Sequence, residues 1–173
     1  MATEQVLSHS TEETIAKGRE IASRLRRPLL ILLTGELGAG KTTLTKGIVS
    51  GLGVAAEEEI TSPTFTLVHT FNGPVKVFHV DLYRVSDVHD FDTLGLEDLF
   101  AEPAIVLIEW PDRMRLRTDW PVLRIGLEHA GEETRRIVIE EISAEHPFHN
   151  RAAAPVSDAS GEGRATNPPK SAR

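Results

Sequence analysis

The sequence predicts an α/β protein: a central mixed, mostly parallel sheet flanked by helices, with a C-terminal β-hairpin. Three observations predict it. Short, continuously apolar runs at Leu29–Leu33 and Ala104–Ile108 read as strands buried on both faces. Segments of helical periodicity precede and separate them. Near the end, two alternating runs, Leu123–Leu127 and Arg136–Ile142, flank a turn around Gly131.

In order along the chain, Ser10-Thr11-Glu12-Glu13 has the S-x-x-E form of a capping box. It predicts a helix to about Arg26 with Ile15, Ala22 and Leu25 on one face, broken by Pro28. Leu29–Thr34 is the first buried strand. Gly35–Gly40 is a glycine-rich loop, and a second helix runs from Lys41 to Leu52, with Leu44, Ile48 and Leu52 at i, i+4, i+8 and Gly53 as its stop. Leu67–Phe71 and Val75–Val80 are strands around the hairpin signal Asn72-Gly73. Asp87–Phe100 reads as one or two short helices interrupted at Gly95. The order is therefore α-β-α, then β-β-α-β-β-β.

The 173 residues suit one domain with a sizeable core, and 40% apolar with 26% charged residues is ordinary globular composition. Residues 1–143 are read as this domain. Residues 144–173 hold seven Ala and four Pro but only Phe148 and Val156 as bulky apolar groups, so a disordered tail is expected. With no cysteine, a disulfide framework, thiolate metal sites and a cysteine nucleophile are excluded. No apolar run reaches membrane-spanning length, and Met1–Leu7 has neither basic flank nor apolar core of a secretory signal. A cytoplasmic location without membrane association is expected. The net charge of −7 argues against a direct grip on nucleic acid; a nucleic-acid substrate would be held by another subunit.

The chemistry concentrates at Gly35-Glu36-Leu37-Gly38-Ala39-Gly40-Lys41-Thr42, which matches G-x-x-x-x-G-K-[ST] between an apolar strand and an amphipathic helix. Such a P-loop turns successive backbone N–H groups inward to cradle phosphate oxygens at a helix N-terminus. Lys41 would reach the β- and γ-phosphates, the Thr42 hydroxyl would bind Mg2+, and Thr43 would donate to the α-phosphate. An acid near the magnesium is also required. Asp81 and Glu109 both stand at strand ends, and the sequence leaves open which holds the metal and which orients water. Thr61-Ser62-Pro63-Thr64 lies where P-loop hydrolases carry a nucleotide-sensing switch, though an ordinary turn fits the same residues. The seven histidines show no ligand spacing, and His79 fits either a satisfied core group or a partner of a site residue. Trp110 is expected to pack near its strand end. Arg84 and Arg113 are isolated candidates for charge stabilisation. No N-K-x-D pattern follows a strand, which favours ATP over GTP.

Gly35–Thr43, Ser62-Pro63-Thr64-Phe65, His79-Val80-Asp81-Leu82-Tyr83-Arg84 and Ile108-Glu109-Trp110-Pro111 occur in this order and spacing. Over roughly residues 5–142 the chain resembles the bacterial tRNA threonylcarbamoyladenosine biosynthesis ATPases, the TsaE (YjeE) family. The resemblance implies a small P-loop ATPase that binds ATP and Mg2+ and acts with two partners, TsaB and TsaD. TsaD transfers a threonylcarbamoyl group to tRNA, so contact with tRNA is indirect, and the ATPase resets the TsaB–TsaD complex between turnovers. It implies that Thr42 and Glu109 hold Mg2+, that Asp81 sits by the triphosphate, and that Ser62–Thr64 form the switch. The phosphate cradle would comprise Gly38, Ala39, Gly40, Lys41, Thr42 and Thr43, with Thr64 alongside and Thr11 and Gly131 near the base. Lys41, Asp81 and Glu109 would be the catalytic groups. A small-metabolite kinase and a nucleotide-locked interaction module are the alternatives.

Overall fold

The computed structural model describes residues 3–85, 95–113, 116–142 and, as backbone, 148–150. Its elements are β1 (Thr3–Ser8), α1 (Thr11–Arg24), β2 (Leu29–Thr34), α2 (Lys41–Gly51), β3 (Val68–Phe71), β4 (Val77–Asp81), β5 (Ile105–Glu109), β6 (Leu116–Thr118), β7 (Val122–His129), β8 (Arg135–Ile142) and β9 (Phe148–Asn150), with single 3-10 turns at Glu57–Glu59, Leu96–Phe100 and Pro111–Arg113. Seven strands form one sheet in the order β1-β8-β7-β2-β5-β4-β3. The four central strands, β7, β2, β5 and β4, are parallel; β1, β8 and β3 are antiparallel additions.

The apolar run Leu29–Leu33 becomes the middle strand because it has apolar side chains for both faces. Ile31 and Leu33 pack with Ile21, Leu44, Ile48 and Ile125 under α1 and α2. Leu30 and Leu32 pack on the other face with Val80, Leu82, Leu96 and Ile108. In the parallel register Leu33 lies beside Glu109, and Glu109 beside Asp81. Both acids therefore emerge at the same end of the sheet as the loop that follows β2. No helix among the described residues is long and apolar enough to cross a membrane.

The helix-capping motif forms with one shift. Ser10 is the N-cap and its Oγ accepts from Glu13 N at 3.2 Å, but the Glu13 carboxylate accepts from the His9 amide at 2.6 Å, one residue before the cap. The helix ends at Arg24, before Pro28, whose peptide bond is cis. Its buried stripe is Thr14, Lys17, Gly18, Ile21 and Ala22; of the expected face Ala22 is buried and Leu25 packs half-buried on the same core, but Ile15 is only half-buried and the stripe takes in Gly18. The reason is the backbone contact with α2. A Cβ at Gly47 would lie 2.2 Å from the Ile15 carbonyl oxygen, and one at Gly18 would lie 2.5 Å from that of Leu44. Two glycines thus set the spacing of the helix whose N-terminus completes the phosphate loop. Gly47→Ala is expected to cost about 1–3 kcal/mol through overpacking; an unchanged urea midpoint would contradict this close crossing.

Three strands carry too little local pattern to be read from the sequence. β1 is an edge strand whose side chains are mostly exposed or half-buried, so its alternation is faint. It is fixed by pairing with β8 and by Lys17, which bonds Glu4 at 2.5 Å and Glu20 at 3.1 Å. β6 and β9 are three residues each and pair only with one another. Phe148–Asn150, placed in the tail by composition, pairs as a strand with β6 through backbone bonds, which composition does not register. The rest of 144–173 lies outside the described residues. So does most of the helical segment expected over Asp87–Phe100, of which Gly95 (left-handed, φ 59°) and the 3-10 turn Leu96–Phe100 are described.

Candidate functional site

The loop after β2 turns sharply enough to need glycine. Gly35 has φ 135° and its missing Cβ would meet the Leu127 carbonyl oxygen at 2.3 Å; Gly40, the N-cap of α2, has φ 103°. No side chain caps α2, so the amides of its first turn stay available beside the positive end of the helix dipole. Lys41 folds back over this loop. Its Nζ donates to the carbonyls of Gly35 at 2.7 Å and Glu36 at 2.8 Å and lies 4.0 Å from the centre of the Trp110 ring. Burial pushes the Lys41 ammonium below the ordinary lysine range, against the opposing pull of Glu109 and Asp81.

The two acids have different partners. Glu109, 3% exposed, accepts from Thr42 Oγ1 at 3.0 and 3.2 Å through its two oxygens, and its Oε1 is 2.9 Å from His79 Nε2. Asp81 faces the segment after α2. Its Oδ2 accepts from the hydroxyls of Ser62 and, at 2.9 Å, Thr64, while Oδ1 accepts from Tyr83 N at 2.9 Å. The Ser62 and Thr64 hydroxyls are 2.8 Å apart. So the choice between the acids that the sequence left open is expressed in hydrogen bonds: Glu109 joins the P-loop threonine, and Asp81 holds the Ser62–Thr64 segment.

Gly38, Gly40, Lys41, Thr42 and Thr43 line a cleft of about 280 Å3 together with Ser62, Thr64, Asp81, Tyr83 and Glu109. An alcohol oxygen and a carboxylate side by side at a helix N-terminus form a donor set that suits a hard cation such as Mg2+. A Cβ at Gly38 would meet nothing within 4 Å, so the cradle is open on that side. Ala39, placed in the cradle by the sequence, does not line this cleft: its side chain is buried in the core and its amide donates to the Glu36 carbonyl at 3.1 Å. Thr11 reaches the far side of the loop, where it lines a pocket of about 70 Å3 with Gly38, Gly40 and Thr43. Gly131 lies in the β7–β8 turn with φ 158°, but the residues of this hairpin at the pocket are Glu133 of the turn and Arg135 at the start of β8. Those two had no signal in the sequence, because a turn's residues are aimed by strand register and not by local pattern.

Trp110 packs beside its strand end, as expected, on Tyr83 at 5.1 Å between ring centres. Its backbone is left-handed, φ 59°, and this aims the ring over Lys41. Arg84 stacks on the exposed Phe65 ring at 4.7 Å, and neither it nor Arg113 lines the cleft. Among the described residues no group of three or more His, Asp and Glu side chains is placed to hold a metal ion by itself. A larger cavity, about 590 Å3, opens at the opposite end of the parallel strands between Arg24, Pro28 and Pro121. It holds none of the residues that the sequence singled out, so chemistry and not size locates the site.

Comparison with known proteins gives one answer. Residues 8–137 match the family model described as threonylcarbamoyl adenosine biosynthesis protein TsaE. A tRNA threonylcarbamoyladenosine biosynthesis protein TsaE from Treponema pallidum is 32% identical, over 77% of this chain and 97% of its own length. The protein of the same description from Bacillus subtilis is 34% identical, over 76% and 81%. The one from Nostoc is 41% identical, over 74% and 80%. The crystal structure of Bacillus subtilis YdiB superposes with a TM-score of 0.63 at 29% identity, covering 82% of this chain and 87% of that one.

Proposed function

This chain belongs to the TsaE family of threonylcarbamoyl adenosine biosynthesis proteins, and from that premise we propose that it is a Mg-ATPase that resets a TsaB–TsaD threonylcarbamoyl transferase during tRNA modification. The observation that carries the reading is the pairing of each strand-end acid with a different hydroxyl group: Glu109 with Thr42 of the P-loop, and Asp81 with Ser62 and Thr64. The same cleft can thereby bind a metal–nucleotide and register its state in a segment that reaches the surface at Phe65, which is 85% exposed.

The chain's own groups have distinct tasks. Lys41 would leave the Gly35 and Glu36 carbonyls for the β- and γ-phosphates, and the amides at the start of α2, which no side chain caps, would bind phosphate oxygens. Thr42 and Glu109 would hold Mg2+, which would supply neutralisation of the charge on the triphosphate. Ser62 and Thr64 exchange their bonds to Asp81 for others when the nucleotide changes, and this alters the surface offered to a partner. A nucleotide can bias a two-state complex only through such a difference in binding. No arginine lines the cleft among the described residues, so hydrolysis by the protein alone is expected to be slow. The acidic chain leaves the tRNA to its partners.

The test is to count modified tRNA per TsaD over time. Transfer by TsaB and TsaD is expected to stop after about one round without this protein and to continue with it and ATP. Multiple rounds in its absence, or failure of TsaB–TsaD to retain it with and without ATP, would overturn the reading. Phosphate arriving on a small acceptor would identify a kinase.

A further inference from the structure

We propose that His79 is a positioning residue: it clamps the Glu109 carboxylate in the orientation needed for magnesium, and so sets how much the metal adds to nucleotide affinity. The proposal rests on the reading of the cleft as a Mg–ATP site. His79 sits on β4 in register with Leu107 of β5, two residues below the Asp81–Glu109 pair. It is fully buried. A carboxylate has only lone pairs to offer, so the 2.9 Å contact runs from His79 Nε2–H to Glu109 Oε1. The other ring nitrogen, Nδ1, is buried with no hydrogen-bond partner among the described residues. A histidine kept only to satisfy the core would be expected to have both nitrogens paired, since an unpaired buried polar atom costs stability. Here the ring tolerates an unpaired nitrogen while its other end meets the proposed metal-binding acid.

The geometry gives the bond a purpose. Glu109 reaches Thr42 Oγ1 with both oxygens, at 3.0 and 3.2 Å, and Oε1 alone also meets His79. When the Thr42 hydroxyl turns to a cation, the bond to His79 is the remaining described side-chain contact that fixes the carboxylate, with Oε2 directed to the P-loop. Asp81 has other partners, Ser62, Thr64 and the Tyr83 amide, and makes no described contact with His79 or Thr42. Hydrogen-bond partners of metal-ligating groups commonly contribute about 10- to 100-fold to metal affinity.

The experiment measures binding of AMPPNP by calorimetry, in EDTA and in Mg2+, to the full chain. Wild type is expected to bind more tightly in Mg2+. His79→Phe, which keeps the ring volume without a donor, is expected to lose at least about tenfold of that magnesium-linked gain while its affinity in EDTA stays within about twofold. His79→Gln, whose amide nitrogen reaches as far as Nε2, is expected to retain the gain, and His79→Asn, with the same amide one carbon shorter, to lose it. Should the Phe variant not fold, the Gln and Asn pair decides the matter. An undiminished gain in His79→Phe or His79→Asn overturns the proposal, as does equal loss of affinity in EDTA and Mg2+, which would mark a merely structural role. A wild-type protein with no magnesium-linked gain would instead overturn the reading of the cleft.

Discussion

Replacing Lys41 with alanine weakens ATP binding by at least about 100-fold, as calorimetry on the full chain is expected to show. The magnitude follows from the hydrogen bonds that the ammonium would make to the nucleotide. A charge-assisted hydrogen bond contributes about 1.5–3 kcal/mol, so removing the bonds to two phosphates exceeds the ~2.7 kcal/mol that corresponds to 100-fold. No neighbour can replace the cation, because no other lysine or arginine lines the cleft among the described residues. The fold should survive. Lys41 is held by two loop carbonyls and the Trp110 ring, and it belongs to neither apolar cluster of the sheet. Unchanged ATP affinity in a folded Lys41→Ala protein would contradict the assignment of the loop as a phosphate cradle.

The second large effect is expected at Glu109. Glu109→Ala should reduce magnesium-dependent hydrolysis at least tenfold, which corresponds to about 1.4 kcal/mol in the barrier, with much of the metal-free nucleotide affinity retained. The amides at the start of α2 and Lys41, which meet the phosphates, remain in place. The substitution also strands His79 Nε2 and Thr42 Oγ1, so melting should be followed in parallel. Glu109→Gln keeps a carbonyl oxygen for both donors and separates the two effects: its stability should be closer to wild type, while its hydrolysis stays low. Wild-type turnover in either variant would move the metal role to Asp81.

Several parts of this arrangement are legible in the residues themselves. A run as apolar as Leu29–Leu33 can only be buried on both faces, and β2 is found at the middle of the sheet with those side chains in two cores. The spacing Gly35–Gly40–Lys41–Thr42 carries its own geometry, since left-handed glycines and a helix start leave little freedom to the loop. Asp81 and Glu109 are recognisable because each ends an apolar strand, and parallel strands deliver their ends to one edge. The family likeness read from Ser62–Phe65, His79–Arg84 and Ile108–Pro111 is matched by the comparison over residues 8–137.

Other features are open until the chain is folded. β1 depends on a partner strand more than 120 residues away, and β6 and β9 are too short to carry a pattern. The stripe of α1 takes in Gly18 and leaves Ile15 half-buried because the decisive contact is backbone against backbone, which hydrophobic periodicity does not encode. The pocket beside Thr11 takes Glu133 and Arg135 in place of Gly131 because the register between β7 and β8 aims that turn.

The α/β class, the glycine-rich loop with its G-x-x-x-x-G-K-T spacing and the pair of acids are readable from the residues alone, because each is written in contiguous residues or in the end of a single strand. The hydrogen-bond partners of the two acids are legible only in the folded chain. Glu109 joins Thr42 and His79, and Asp81 joins Ser62 and Thr64, through contacts that span 17 to 67 residues of chain. Those pairings follow from strand order and register, and both are fixed by packing the whole sheet against α1 and α2.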